Sequence, residues 1–142
     1  MYHTHTNEHL EVVFRRGDTY VSDGLNQLNR FLRDSRTGAV HTYDPRIFDL
    51  LYDLESAVGS PNAELQIICG YRSPQSNAFL QATTGGVAKN SRHMSAKAID
   101  IRLPGIGTAA LRDAALALKR GGVGYYAASN FIHVDVGPVR RW

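Results

Sequence analysis

Two short segments carry side chains able to do chemistry. SRHMSAKAID (residues 91–100) sets His93 and Asp100 seven apart in a segment that, Arg92 and Lys97 aside, carries small or apolar residues. FIHVDVG (131–137) sets His133 and Asp135 two apart between Ile and Val. Imidazoles and carboxylates in such sequence are expensive to desolvate unless they are paired. Either they satisfy one another by hydrogen bonds, or a metal ion lies between them. Two neutral imidazoles and one carboxylate suit Zn²⁺ with a fourth position left open. A metal held that way acidifies water and polarises a carbonyl, which is the equipment for amide hydrolysis. Spacing alone leaves both arrangements open, because no HExxH signature is present.

The elements that must position these groups are legible from periodicity. AIDIRL (98–103) alternates, with Ile99, Ile101 and Leu103 on one face and Ala98, Asp100 and Arg102 on the other. FIHVDV (131–136) reads as the last strand, with Phe131, His133 and Asp135 opposite Ile132, Val134 and Val136. If these two strands are neighbours, His93, Asp100 and His133 converge. LQIICGYR (65–72) is a further strand, and EVVFRR with TYV (11–21) forms a hairpin turning at Arg16-Gly17-Asp18.

Four helices follow from apolar stripes and start signals. Ser22 caps the first, with Leu25, Leu28, Phe31 and Leu32 inward, and Thr37-Gly38 breaks it. Asp44-Pro45 starts the second, lined by Ile47, Leu50, Leu51, Leu54 and Val58 and ended by Gly59-Ser60-Pro61. Ser73-Pro74 starts the third, which carries Phe79 and Leu80. Thr108 caps the fourth, with Leu111, Ala114, Ala115 and Leu118 inward and Gly121-Gly122 closing it. Strands and helices mix without a βαβ rhythm. The expected fold is α+β: a small, mainly antiparallel sheet with helices packed on one face.

The 142 residues suit one domain, 1–142. A composition of 43% hydrophobic and 20% charged residues is that of a folded protein. The net charge of +3 is mild and the basic residues are scattered, so nucleic-acid binding is not expected. No apolar run is long enough to span a bilayer. MYHTHTNEHL has no apolar h-region, so the protein is either cytoplasmic or exported with its leader removed. Cys69 is the single cysteine, which excludes an internal disulfide and a cysteine-based zinc site.

The pattern S-x-H-x-x-(G)-x-A-x-D, met as Ser91, His93, Ala96, Ala98 and Asp100, resembles the metal-binding motif of the D-Ala-D-Ala peptidase and LAS zinc peptidases, the M15 group. The chain is most similar to the DUF882 murein endopeptidases of the Gram-negative periplasm. The likeness runs through HTNE (5–8), FLRDSRTG (31–38), DP (44–45), GYRSPQSN (70–77), GVAKNSRH (86–93) and GGVGYYAASNFIHVDVGPVRRW (121–142). It implies a single zinc peptidase domain acting as a monomer on the peptide cross-links of peptidoglycan. It also implies a periplasmic location, with the export segment absent from this chain. Its metal ligands map onto His93, Asp100 and His133. A D,D-carboxypeptidase or dipeptidase of the same group and a non-catalytic murein-binding module are the competing readings.

Two departures matter. The usual Gly of the motif is Ala96, which fits a tight loop unless φ is positive there. Many of these enzymes also place an acid or a His just before the last ligand, where this chain has Asn130 and Phe131. Asp135 is then the candidate general base, or else the group that orients a ligand imidazole. Arg72 is expected in the cleft, holding an oxyanion or a substrate carboxylate, against the plainer reading of a salt bridge. Asn77 reaches the same cleft or caps a loop. Ser91 backs the metal or braces its loop. Tyr125 and Tyr126 line a groove or pack on the sheet. His3 and His5 have the spacing of a second metal site; otherwise His3 belongs to a frayed terminus, and His5 with Glu8 falls in the HTxE block of the resemblance. His9 and His41 are expected at the surface. Arg140, Arg141 and Trp142 contact glycan or pin the C-terminus.

Overall fold

The computed structural model describes residues 1–60 and 63–142. Six strands form one sheet. Numbered along the chain, they are β1 (Tyr2–His3), β4 (Gln66–Cys69), β5 (Ala98–Arg102), β6 (Gly122–Tyr126), β7 (Phe131–Asp135) and β8 (Arg140–Arg141). Their order across the sheet is β1-β4-β5-β7-β6-β8. The β4–β5, β5–β7 and β7–β6 pairings are antiparallel, and the two-residue edge strands β1 and β8 add in parallel. A separate hairpin, β2 (Arg15–Arg16) and β3 (Thr19–Tyr20), turns at Gly17, where φ is +59°. It is shorter than EVVFRR and TYV suggest, although the Val21 N–H still donates to the Phe14 carbonyl at 2.8 Å and Val12 and Phe14 pack against the core.

The expected apolar stripes do build the core. Ile67, Ile99, Ile101, Ile132 and Val134 on the sheet join Leu28, Phe31 and Leu32 from the first helical segment, α1 (Ser22–Phe31) and its C-cap. Ile47, Leu50, Leu51 and Leu54 of α2 (Arg46–Ala57) and Leu111 and Ala115 of α4 (Thr108–Leu118) complete it. The α3 helix (Pro74–Thr83) differs: the residues it buries are the polar Ser76 and Asn77, and Phe79 stays exposed. It serves the site rather than the core. Of the residues expected to end α2, Gly59 takes φ +68°, and Pro61 lies outside the described residues.

Several boundaries differ from the sequence reading. Val21 and Gly107, not Ser22 and Thr108, are the N-caps of α1 and α4; both hydroxyl residues sit one position inside the helix. Ser73 caps α3 as expected, its Oγ accepting from the Ser76 N–H at 3.2 Å. α1 ends at Leu32, well before Thr37-Gly38. α4 closes on Lys119, left-handed at φ +52°, and Gly121-Gly122 already lead into β6. FIHVDV is not the last strand, because β8 follows it.

β6 was hidden by its glycines, and their reason is spatial. A Cβ on Gly122 would lie 2.5 Å from the Asp135 carboxylate, and one on Gly124 2.7 Å from the Trp142 indole. The strand must be bare on that face for those two side chains to lie over it.

Asp34 ties the loop after α1 to the turn before α3. It is 2% exposed. Its carboxylate accepts from the N–H groups of Arg36 (2.8 Å), Thr37 (3.2 Å) and Ser73 (2.8 Å). Burial pushes its pKa up, but the hydroxyl and N–H of Ser73 and the N–H of Arg36 outweigh it and hold the group well below the ordinary carboxylate range. Asp34→Ala leaves these donors unpaired and is expected to destabilise the protein by about 3 kcal/mol. A depressed pKa means this stabilisation is complete above the unfolded value of ~4 and is lost as pH falls below it. Urea midpoints at neutral and acid pH should therefore converge between wild type and Asp34→Ala in acid.

Candidate active site

Sheet register sets the site. Cys69 pairs with Asp100, Asp100 with His133, and His133 with Gly124, so the four form one row across β4, β5, β7 and β6. The row lies opposite the isoleucines, as strand alternation requires. His93 reaches it from a single 3₁₀ turn, Arg92–Ser95, that feeds β5. Ser91 braces that turn, its Oγ accepting from the His93 N–H at 3.2 Å. Ala96 ends it in the left-handed region at φ +53°, the condition under which the departure from Gly matters. Its methyl group is fully buried in the core, which offsets part of the conformational cost.

His93, Asp100 and His133 are 2%, 7% and 7% exposed, so each must find a partner. The Asp100 Oδ1 lies 3.1 Å from His93 Nε2 and 3.1 Å from His133 Nδ1. The opposite ring nitrogens fix the tautomers. His93 Nδ1 faces the Gly70 carbonyl at 2.8 Å, which can only accept, so this nitrogen carries the proton. His133 Nε2 faces the Asp135 carboxylate at 2.8 Å and donates to it. Both inward nitrogens are thereby left with lone pairs directed at Asp100. Two lone pairs and a buried carboxylate repel unless something positive lies among them. A proton is one such charge: burial works to lower the His93 pKa, but Asp100 and Cys69 raise it well above the usual value. A divalent cation meets the same need, and the donor set is one that binds metals.

Asp135 is fully buried. Its Oδ1 accepts from the Gly122 and Gly137 N–H groups, each at 2.9 Å, and its Oδ2 takes His133 Nε2. Arg140 approaches at 3.5 Å and Arg92 at 3.9 Å. Burial alone would raise its pKa, but His133 and the two backbone donors hold it at about 2.

Arg72 follows β4 and is anchored at both terminal nitrogens, Nη1 to Asn77 Oδ1 at 3.1 Å and Nη2 to Cys69 Sγ at 3.6 Å. Asn77 in turn donates to the carbonyls of Ala88 and Lys89. α3 thus links the arginine to the loop that carries His93.

Three contributors were not read from sequence. The Cys69 Sγ lies within 4.8 Å of donor atoms of His93 and Asp100, in a group able to hold a metal ion. This corrects the exclusion drawn from its being the single cysteine: one thiol can stand beside His and Asp without any second Cys. The Gly70 carbonyl and the Trp142 ring, 5.0 Å from His133 centroid to centroid, are the others. His3 is not frayed. It is 1% exposed in β1, pinned by pairing with β4. Tyr125 packs on the core, while Tyr126 accepts from Trp142 Nε1 at 2.8 Å. Arg140 and Arg141 pin the C-terminus as β8. His9 and His41 are exposed, as expected.

This sheet, with a buried imidazole–carboxylate triad on its polar face, places the chain among the M15 peptidases. It belongs to the family described as peptidoglycan L,D-endopeptidase MepK, whose family model matches residues 1–142. A probable peptidoglycan L,D-endopeptidase MepK of Haemophilus influenzae is 44% identical over 137 residues, covering 96% of this chain and 74% of the relative. The Escherichia coli K12 peptidoglycan L,D-endopeptidase MepK is 43% identical over 138 residues, 97% of this chain and 75% of the relative.

Proposed function

We propose that this protein is a zinc-dependent endopeptidase that hydrolyses peptide cross-links of peptidoglycan, in the periplasm and as a monomer. One observation carries the reading: two imidazoles, each with its tautomer set from behind, direct lone pairs at one carboxylate oxygen. His93 Nε2, His133 Nδ1 and Asp100 would hold the ion. When bound, zinc supplies Lewis-acid polarisation of an amide carbonyl and a lowered water pKa. The protein supplies the rest. Gly70 and Asp135 keep the imidazoles in the metal-binding tautomer. Arg72, fixed between Asn77 and Cys69, holds its positive charge beside the row, where an amide oxygen gains negative charge during attack. Of the two roles expected for Asp135, orientation fits better than proton abstraction, because both its oxygens are already engaged.

The test is a digest of purified muropeptides read by mass spectrometry. Zinc-loaded protein is expected to convert cross-linked dimers to monomers, to stop on chelation and to resume on zinc addition. Circular dichroism should stay unchanged throughout, since the core forms without the metal. Trimming of terminal D-Ala alone would identify a carboxypeptidase. Binding without turnover would leave a murein-binding module.

A further inference from the structure

A cleft of about 460 Å³ opens beside the row, on its β1 and β4 side. Cys69 and Asp100 of the row line it, together with His3, Arg33, Arg36, Arg72 and Ser76. Four buried side-chain polar atoms lack a hydrogen-bond partner among the described residues, and three of them belong to this lining: His3 Nε2, Arg72 Nε and Ser76 Oγ. The Ser76 hydroxyl also neighbours Asp34, whose charge it stabilises, so the weight falls on the other two.

Both are donors. The Arg72 Nε–H can only donate. His3 Nδ1 accepts from the His5 N–H at 3.2 Å, so Nε2 carries the ring proton of the neutral imidazole. Buried donors without acceptors are rare in folded proteins and point to a missing acceptor. The charges agree. Arg33 is paired with Glu8 at 2.8 Å, but the Arg36 guanidinium lies over the Phe79 ring, 3.9 Å from its centroid. Asp34, also in the lining, already has its oxygens taken by backbone N–H groups.

We infer that this cleft is an anion subsite that takes a free carboxylate of the peptidoglycan stem peptide and so selects which cross-linked strand is presented to the row. The inference rests on the peptidase reading for its ligand but not for its measurement. A carboxylate here meets two orphaned donors and the charge of Arg36, and charge-assisted bonds of this kind are the strong ones. The carboxylate is either the C-terminus of the stem or a side-chain group along it.

Calorimetry on zinc-loaded protein separates these. The titrants are an uncross-linked stem peptide and the same peptide amidated at the terminal or at the side-chain carboxyl. One of the two amides is expected to bind about tenfold or more weakly, and that one names the carboxylate. In Arg36→Gln, an exposed substitution, the preference for acid over amide should shrink to about twofold, and Arg36→Lys should restore part of it. Equal binding of the acid and both amides overturns the subsite, as does a preference that Arg36→Gln leaves intact. Dimer hydrolysis is followed in parallel. Acid preference without hydrolysis overturns the peptidase reading and keeps the subsite. Hydrolysis with no acid preference does the reverse.

Discussion

Substituting alanine for His93 is expected to lower dimer hydrolysis by about 10⁴-fold or more and to remove bound zinc from the purified protein. The ring is one of three proposed donors, and two would be too few to hold the ion at ordinary concentrations. Losing the Lewis acid removes several kcal/mol of stabilisation from the transition state, at about 1.4 kcal/mol per factor of ten. Little activity should return with added zinc, because the buried Asp100 loses a partner at the same time. Metal content by mass spectrometry and activity on the same sample decide the matter. A His93→Ala protein that keeps one zinc per chain and a tenth of the wild-type rate would remove His93 from the ligand set.

Asp135→Asn should act through a tautomer. The Asn carbonyl can replace Oδ1 and still accept from Gly122 and Gly137. Its amide group then occupies the place of Oδ2 and donates toward His133 Nε2. To accept, that nitrogen gives up its proton, and the proton moves to Nδ1, which faces Asp100. The inward lone pair is lost. Zinc affinity is expected to fall about 10–100-fold, with activity recovered at high zinc. Proton abstraction by Asp135 predicts a different pattern: zinc retained, kcat down ~10²–10⁴-fold, and no rescue by metal. Titrating zinc into the variant while following hydrolysis distinguishes the two.

The residues proposed to do the chemistry were readable because alternation is a local signal. Ile99 and Ile101 declare the buried face of β5, so Asp100 must point the other way; Ile132 and Val134 do the same for His133 and Asp135. The stripes of α1 and α2 are local too. What stayed hidden was fixed by partners distant in sequence. GGVGYY shows no apolar alternation and predicts no strand, yet Gly122–Tyr126 is a strand whose glycines make room for Asp135 and Trp142. β1 and β8 are two residues long and show no period, and the burial of His3 follows from pairing with residues more than sixty positions away. Cys69 could be placed beside Asp100 only once the register of β4 on β5 was known. Caps also moved: α1 and α4 begin on Val21 and Gly107, because Ser22 and Thr108 lie one step inside, where Thr108 Oγ1 turns to Asn130 instead.

Trp142 lies over His133, held by the Tyr125 N–H on its carbonyl, by Tyr126 on its indole N–H and by the Arg140 guanidinium above the ring, 4.3 Å from its centroid. It is the only tryptophan in the chain. All indole fluorescence therefore originates in contact with a proposed metal ligand, and excited indole is sensitive to the charge of an adjacent imidazole. The protein carries its own optical probe: loading of the ion or arrival of a peptide over His133 can each be followed in unlabelled wild-type protein, in real time and apart from turnover.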